Sequence, residues 1–406
     1  MPLLRLAFAL LTCFIHGCTG TFLEKSVTGA SEPPTSLQCI ESGFGDPQAW
    51  TYISADELEQ FQHMYVMSDF HGRLQTAKDL LKATGLFADT NTDGVLEWQS
   101  DSAANNSLII VIGDFINGGN ESIEVVRLFE ELRKVAPAHH RMVLLIGNHE
   151  AQLLAGFSSR FANPEMKKSL SQRSVQNWLG LSDLGQGNEV TRNNLLSAPN
   201  FKSFTDSLRL GAVVGNWLFG HSGYFGISTA LTNESGKTAA VCDYVEKLTM
   251  AYSNNRLWEL TLEQHSTSSF LMDHQWWRKK MTNAERNWDS IGLRGLVQGH
   301  SRFSMSYCQD EEISCPRDWP GNPMCTPCRN TDGEIHALKA EEGEFSRFIK
   351  VDSGIKFDKP GRILSCQITP KLLEDMDLAE DCMQMDRFGV ESDIPKSFNS
   401  RGHYLM

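Results

Sequence analysis

Four sets of polar residues, each placed directly after an apolar run, limit what this 406-residue chain can fold into. They are Asp69-Phe70-His71-Gly72, Gly113-Asp114, Gly147-Asn148-His149-Glu150, and a later pair of histidines, His221 and His300. The runs before them, about 63–68, Leu108–Ile112, Met142–Ile146, Val213–Phe219 and Leu293–Val297, read as strands. The sets supply carboxylate, imidazole and one amide. That is the mixture two borderline or hard divalent ions need if they are to share a bridging carboxylate. An Asp-x-His pair alone occurs by chance. Four sets in this order, each at a strand end, go beyond the polar residues that ordinarily close strands.

Helical patterns lie between the strands. Leu74, Ala77, Leu80 and Leu81 repeat at helical spacing up to about Thr84. Glu121–Ala136 puts Val125, Leu128, Phe129 and Leu132 on one face, and a further helix starts at His149–Phe157. Asp93-Gly94 suggests a hairpin. The alternation implies an α/β fold with the polar sets at the carboxyl ends of strands, where ligands collect in open sheets. Residues 158–210 and 225–290 look like helical insertions, the second carrying Trp258, Trp276, Trp277 and Trp288. Phe348–Val351 leads into Asp352, and Gly361–Ile368 reads as a last strand. The domain is expected over 46–370, after a Ser-, Gly- and Pro-rich linker at 21–45. A tail over 371–406 is expected to wrap it or to be mobile.

The motifs resemble those of the calcineurin-like metallophosphoesterases. Within them they look most like the phosphoprotein phosphatase (PPP) branch, and especially its bacterial-type, Shewanella-like members. The usual blocks GDxHG, GDxxDRG, GNHE, HGG or HAG, GH[ST] and [IV]DxG read here as SDFHG (68–72), GDFINGG (113–119), GNHE (147–150), GHSG (220–223), GHS (299–301) and VDSG (351–354). Gly299-His300-Ser301-Arg302 lacks the second histidine of the GHxH block common in the wider family, which favours the PPP branch. The resemblance implies a layered β-sandwich flanked by helices, with helical insertions and a Cys-rich loop. It also implies two divalent ions (Mn, Fe or Zn), the first held by Asp69, His71 and Asp114, the second by Asp114, Asn148, His221 and His300. Asp114 would be the bridge, and His149 the general acid to the leaving group.

The resemblance breaks at Asn117 and Gly118. Asn117 stands where an aspartate normally orients the general acid, and its amide oxygen is expected to accept a hydrogen bond from the ring. Gly118 stands where an arginine normally grips phosphate in a bidentate way. Trp276-Trp277-Arg278 looks like the family's LWxR element, so Arg278 is expected to be the remaining clamp, with Asn148, Arg73 and Arg302 as further phosphate contacts. The implied substrate is a phosphorylated small molecule or a phosphoprotein. A phosphodiester or dinucleoside polyphosphate remains an alternative, as does a metal-binding protein without turnover or a secreted adhesion module.

Composition sets the surroundings. With 37 Lys and Arg against 50 Asp and Glu, the net charge is −13. That excludes a generic polyanion surface, so no nucleic acid partner is expected. Met1–Arg5, the ten-residue apolar run Leu6–Ile15 and the small residues that follow read as a signal peptide over 1–20, too short to span a bilayer. No transmembrane segment is expected elsewhere. Ile15-His16-Gly17-Cys18 leaves open a lipid anchor at Cys18. The expected location is secreted, periplasmic or in the secretory-pathway lumen.

Eight cysteines remain after the leader, an even count that favours disulfides in an exported chain. Four of them, between Cys308 and Cys328, read as a stapled loop, with a zinc knuckle at Cys325-x-x-Cys328 as the alternative. Asn105, Asn120 and Asn233 begin Asn-x-Ser sequons. Asp89–Gly94 imitates an EF-hand start, but Ser100 occupies the twelfth position, where a bidentate glutamate is needed, so it reads as a plain turn.

Overall fold

Parallel strands buried on both faces carry the site. β2 (His63–Ser68), β5 (Ser107–Ile112) and β6 (His140–Leu145) run side by side, with Val66 level with Ile110 and Ile110 level with Val143. Their near-continuous apolar sequences are what burial on both faces requires. Met64, Val66, Leu108, Ile110 and Ile112 face an inner core, whereas Tyr65, Met67, Ile109 and Val111 face an outer one.

The structure, a computed structural model, describes residues 46–90, 95–99, 106–157, 199–222, 237–254, 256–260, 269–272, 292–300, 334–339, 348–353, 355, 359–394 and 396–398. They fall in one unit, Thr35–Met406. The three strands belong to a six-stranded sheet, which continues from β2 through β12 (Ile363–Gln367) and β13 (Cys382–Met385) to β14 (Glu391–Asp393). A second sheet has seven strands in the order β1 (Trp50–Ile53), β7 (Gly211–Val214), β8 (Trp217–Gly220), β9 (Gly295–Gln298), β11 (Phe348–Lys350), β10 (His336–Lys339) and β15 (Lys396–Phe398). Ala212, Val214, Phe219, Val297 and Ile349 from this sheet share the inner core with β2 and β5, so the two sheets form a sandwich. The expected layered α/β architecture holds.

The outer core packs under helices. α1 (Ala55–Leu58) precedes β2 and is capped by Ser54, whose hydroxyl accepts the Glu57 N–H. α2 (Leu74–Ala83) buries Ala77, Leu80 and Leu81, and α3 (Ser122–Lys134) buries Val125, Leu128, Phe129 and Leu132, the faces read from spacing. Truncating one of these leucines to alanine costs about 2–5 kcal/mol. β3 (Phe87–Asp89) and β4 (Leu96–Trp98) form the expected hairpin, although Asp93-Gly94 itself lies outside the described residues. α4 (Asn148–Phe157), α5 (Pro199–Ser207) and α6 (Lys237–Ser253) complete the longer helices among the described residues.

Two expectations change. Val213–Phe219 is not one strand: β7 and β8 pair antiparallel, with Val214 opposite Trp217, around a turn at Gly215-Asn216. Gly215 sits at φ 57°, the left-handed backbone that such two-residue turns demand. The segment after Pro370 is neither loose nor merely wrapped. It supplies β13 and β14 to one sheet and β15 to the other. A disulfide between Cys366 and Cys382 joins β12 to β13, and Cys242 is disulfide-bonded too. The Cys308–Cys328 cluster, Asn105 and Asn233, Ser100 and most of both insertions lie outside the described residues, as do the leader and linker. Among the described residues no helix is long and apolar enough to cross a membrane.

Candidate metal centre

The polar sets meet where strands of both sheets end. Asp69 and His71 follow β2, Asp114 follows β5, and Asn148 opens α4 just after β6. From the other sheet, His221 follows β8 directly and His300 follows β9. Asp69, His71, Asp114, Asn117 and His300 all hold left-handed backbones, with φ between 48° and 71°. Only one other non-glycine residue does so among those described, Met376. Such conformations cost on the order of 1–3 kcal/mol each and persist where the surroundings over-determine them.

Asp114 lies at the middle. Its Oδ2 is 3.5 Å from His71 Nε2 and 3.6 Å from His149 Nε2, while its Oδ1 is 3.3 Å from His221 Nε2. One carboxylate thus turns an oxygen toward each of two imidazole groups. Two sets of residues could hold a metal ion, His71 with Asp114 and His149, and Asp114 with His221 and His300. In each, the candidate ligand atoms lie within 4.8 Å of one another. Asp69 joins the first from 3.8 Å, between its Oδ1 and His71 Nε2. Asn148 Oδ1 joins the second, 2.9 Å from His221 Nε2 and 3.1 Å from His300 Nδ1. The centre therefore gathers Asp69, His71, Asp114, Asn148, His149, His221 and His300.

The donor chemistry fits a cation. His71 Nδ1 faces the carbonyl oxygens of Asn117 and Ile116 at 2.7 and 3.2 Å, and His221 Nδ1 faces that of Ile112 at 3.2 Å. A proton donated there leaves each Nε2 lone pair directed into the centre. Asn148 Oδ1 also lies 3.1 and 3.2 Å from the Asp114 oxygens. Lone pairs thus converge on one another, an arrangement a cation satisfies. Burial pushes Asp69 well above the usual carboxylate range, and Asp352 and Asp114 add to it. Burial acts in the same sense on Asp114, but His149, His221 and His71 outweigh it and hold that carboxyl well below the range. Burial disfavours a charged His221, yet Asp114 pushes it up to about 9. Crowded buried carboxylates of this kind are eased by positive charge.

His149 and Asn117 meet, but not as expected. Asn117 presents its amide nitrogen, with Nδ2 2.6 Å from His149 Nδ1. An N–H donated to Nδ1 fixes the neutral ring with its proton on Nε2, the nitrogen facing Asp114. The amide oxygen does not take the accepting role that the sequence suggested. At Gly118 the backbone has φ 140°, so the loop takes a course that an arginine would adopt only under strain. Arg73 precedes α2 and lies against Gly119. Arg278 and Arg302 lie outside the described residues.

Sequence reasoning missed the role of Glu150. Its carboxylate, buried beneath the loop after β5, accepts the backbone N–H groups of Asp114 and Gly147 at 2.9 Å through Oε2, and of Phe115 and Ile116 at 2.9 and 3.2 Å through Oε1. Burial and the Asp114 carboxylate push its pKa up to about 7 against His221 and the Gly147 and Asp114 N–H donors. The two loops touch so closely that a Cβ on Gly147 would stand 2.2 Å from Asp114 Oδ1. The Glu in GNHE was visible, but three of its four partners are backbone groups more than thirty positions away, which no spacing rule reveals.

A two-sheet α/β sandwich with carboxylates, imidazoles and an amide converging at its strand ends defines a metal-binding protein of hydrolytic type. The family model for the calcineurin-like phosphoesterases matches residues 63–291, more than half of the chain, and the chain belongs to that family. An uncharacterized protein of Schizosaccharomyces pombe is 32% identical over 138 residues, covering 34% of this chain and 38% of that protein. Shewanella-like protein phosphatase 2 of Arabidopsis thaliana is 23% identical over 143 residues, covering 35% and 32%. The chain thus spans about a third of the length of these curated relatives. Among solved structures, the cold-active protein-tyrosine phosphatase of a psychrophilic Shewanella has a TM-score of 0.45 at 16% identity, covering 85% of this chain and 82% of that one. A serine/threonine phosphatase of Saccharomyces cerevisiae has a TM-score of 0.46 at 13% identity, covering 88% and 89%.

Proposed function

We propose that this protein is an exported phosphatase that hydrolyses phosphate monoesters with two divalent metal ions. The observation that carries the reading is the division of Asp114, one oxygen toward His71 and the other toward His221. Asp69, His71 and Asp114 would hold one ion, and Asp114, Asn148, His221 and His300 the other. When bound, the ions supply Lewis acidity to the phosphoryl oxygens and lower the pKa of water. Asn148 keeps its place in the set neutral, which limits repulsion of an anionic substrate. His149 donates the Nε2 proton to the departing oxygen, a contribution of about 10²–10⁴-fold in rate where the geometry is right. Asn117 holds Nδ1 and so keeps that proton on the correct nitrogen. The Cys366–Cys382 disulfide favours an oxidising compartment.

Hydrolysis of p-nitrophenyl phosphate with Mn²⁺, with a chelator, and by Asp114→Asn tests the reading. Metal-dependent turnover lost in the variant is the expected result. Two bound metal ions without turnover on monoester, diester or dinucleotide substrates would favour a non-catalytic metal-binding protein. Asn117 and Gly118 are the observations behind that second reading.

A further inference from the structure

We propose that Lys350 is a positioning residue that sets Asp69 and His300 as metal ligands; the inference rests on the two-metal reading above. Lys350 closes β11, with neighbours Phe348, Ile349 and Val351 all fully buried, and is itself fully buried. Nothing about packing calls for an amine here, and burying one costs free energy unless its donors are used. Its Nζ donates to the Gly299 carbonyl at 3.0 Å. The other end of that same peptide unit is the His300 N–H, which forks to Asp69 Oδ1 at 3.1 Å and Oδ2 at 3.0 Å.

One peptide therefore links the amine on one side to a carboxylate on the other. Hydrogen bonds arranged head to tail polarise one another, so the Lys350 contact strengthens the grip on Asp69. The same peptide leads into His300 at φ 71°, a backbone uncommon outside glycine. Without a donor at Gly299 O the peptide loses one of its holds and rotates more readily. Rotation withdraws the N–H from Asp69 and turns the His300 ring away from His221 and Asn148, which it meets at 3.1 Å. Asp69 and His300 belong to different proposed metal positions, so one amine governs both.

Gln298 gives an internal control. It lies level with Lys350 across the β9–β11 pair, is fully buried, and has neither amide atom hydrogen-bonded among the described residues. Its side chain has no part in the linkage.

The test compares Lys350→Met, which keeps length and packing, with Gln298→Leu. Hydrogen–deuterium exchange of the peptide spanning 295–300 is followed in metal-free protein, and Mn²⁺ binding by calorimetry. Lys350→Met is expected to speed exchange at His300 at least tenfold and to weaken Mn²⁺ binding at least tenfold, while Gln298→Leu changes neither. Wild-type exchange in Lys350→Met overturns the proposal. So does an equal loss in both variants, because the effect would then belong to the buried face in general. If Lys350→Met does not fold, Lys350→Gln, whose shorter side chain falls short of Gly299, is read the same way. Wild-type protein that binds no Mn²⁺ would defeat the phosphatase reading, and the exchange arm would still decide the role of Lys350.

Discussion

Glu150 Oε2 accepts the backbone N–H of Asp114 at 2.9 Å, so the backbone that carries the central carboxylate is held by a second buried carboxylate. Glu150→Gln keeps the shape but turns an amide NH₂ toward donors that need an acceptor. Leaving such groups unsatisfied costs about 1–3 kcal/mol. The expected outcome is a lower midpoint in urea unfolding and reduced metal occupancy. Glu150→Gln with wild-type stability and two bound ions would show that the loop holds itself.

Asn117→Asp replaces a donor with an acceptor 2.6 Å from His149 Nδ1. The ring can then carry protons on both nitrogens and becomes a stronger donor to a poor leaving group. With a series of aryl phosphates, the variant is expected to gain about tenfold or more in kcat for phenyl phosphate, within the ~10²–10⁴ range of a positioned general acid. p-Nitrophenyl phosphate, whose leaving group needs little help, should change far less. Equal changes across the series would remove His149 from the proton transfer.

Metal binding should be visible in thermal unfolding. A ligand at a hundred times its Kd stabilises by about 2.7 kcal/mol if the unfolded chain does not bind it. Mn²⁺ is expected to raise Tm and a chelator to reverse the rise, with Asp114→Asn insensitive to both. An unchanged response in that variant would locate the ions elsewhere.

His140 predicts a pH effect away from the site. Burial, helped by the adjacent His139, lowers its pKa to about 4, and its Nδ1 accepts the Ser107 N–H at 3.2 Å. The folded pKa is depressed below the usual ~6.5, so the unfolded chain binds the extra proton first. Stability from this group is full above about pH 6.5 and is lost as pH falls toward 4. His140→Asn keeps an acceptor and removes the titration. Its unfolding free energy should fall less steeply between those pH values than that of the wild type. Parallel pH profiles would mean that His140 titrates alike in both states.

The sequence made some of this legible and hid the rest for physical reasons. β2, β5 and β6 announced themselves because strands covered on both faces have almost no polar positions. β10 (His-Ala-Leu-Lys) and β14 (Glu-Ser-Asp) gave no such signal, being short and without an apolar run. The Gly215-Asn216 turn was readable in principle, as a two-residue hairpin pair, but an apolar run on both sides disguised it. The residues gathered at the centre were all named from motifs, because chemistry restricts the residue types there. Lys350 and Glu150 escaped because each acts through backbone groups, and backbone leaves no mark on the sequence. The pairing of Cys366 with Cys382 was equally hidden, since a count of cysteines fixes no partners.

The strand order has a consequence for how the molecule is made. The seven-stranded sheet starts with Trp50–Ile53 and takes its far edge from Lys396–Phe398, and the six-stranded sheet waits for Cys382–Asp393. A ribosome delivers the amino-terminal strands first, so neither layer is complete until these late strands have emerged. Until then each sheet keeps an unpaired edge, β12 in one and β10 in the other, the kind of edge that invites pairing with another chain.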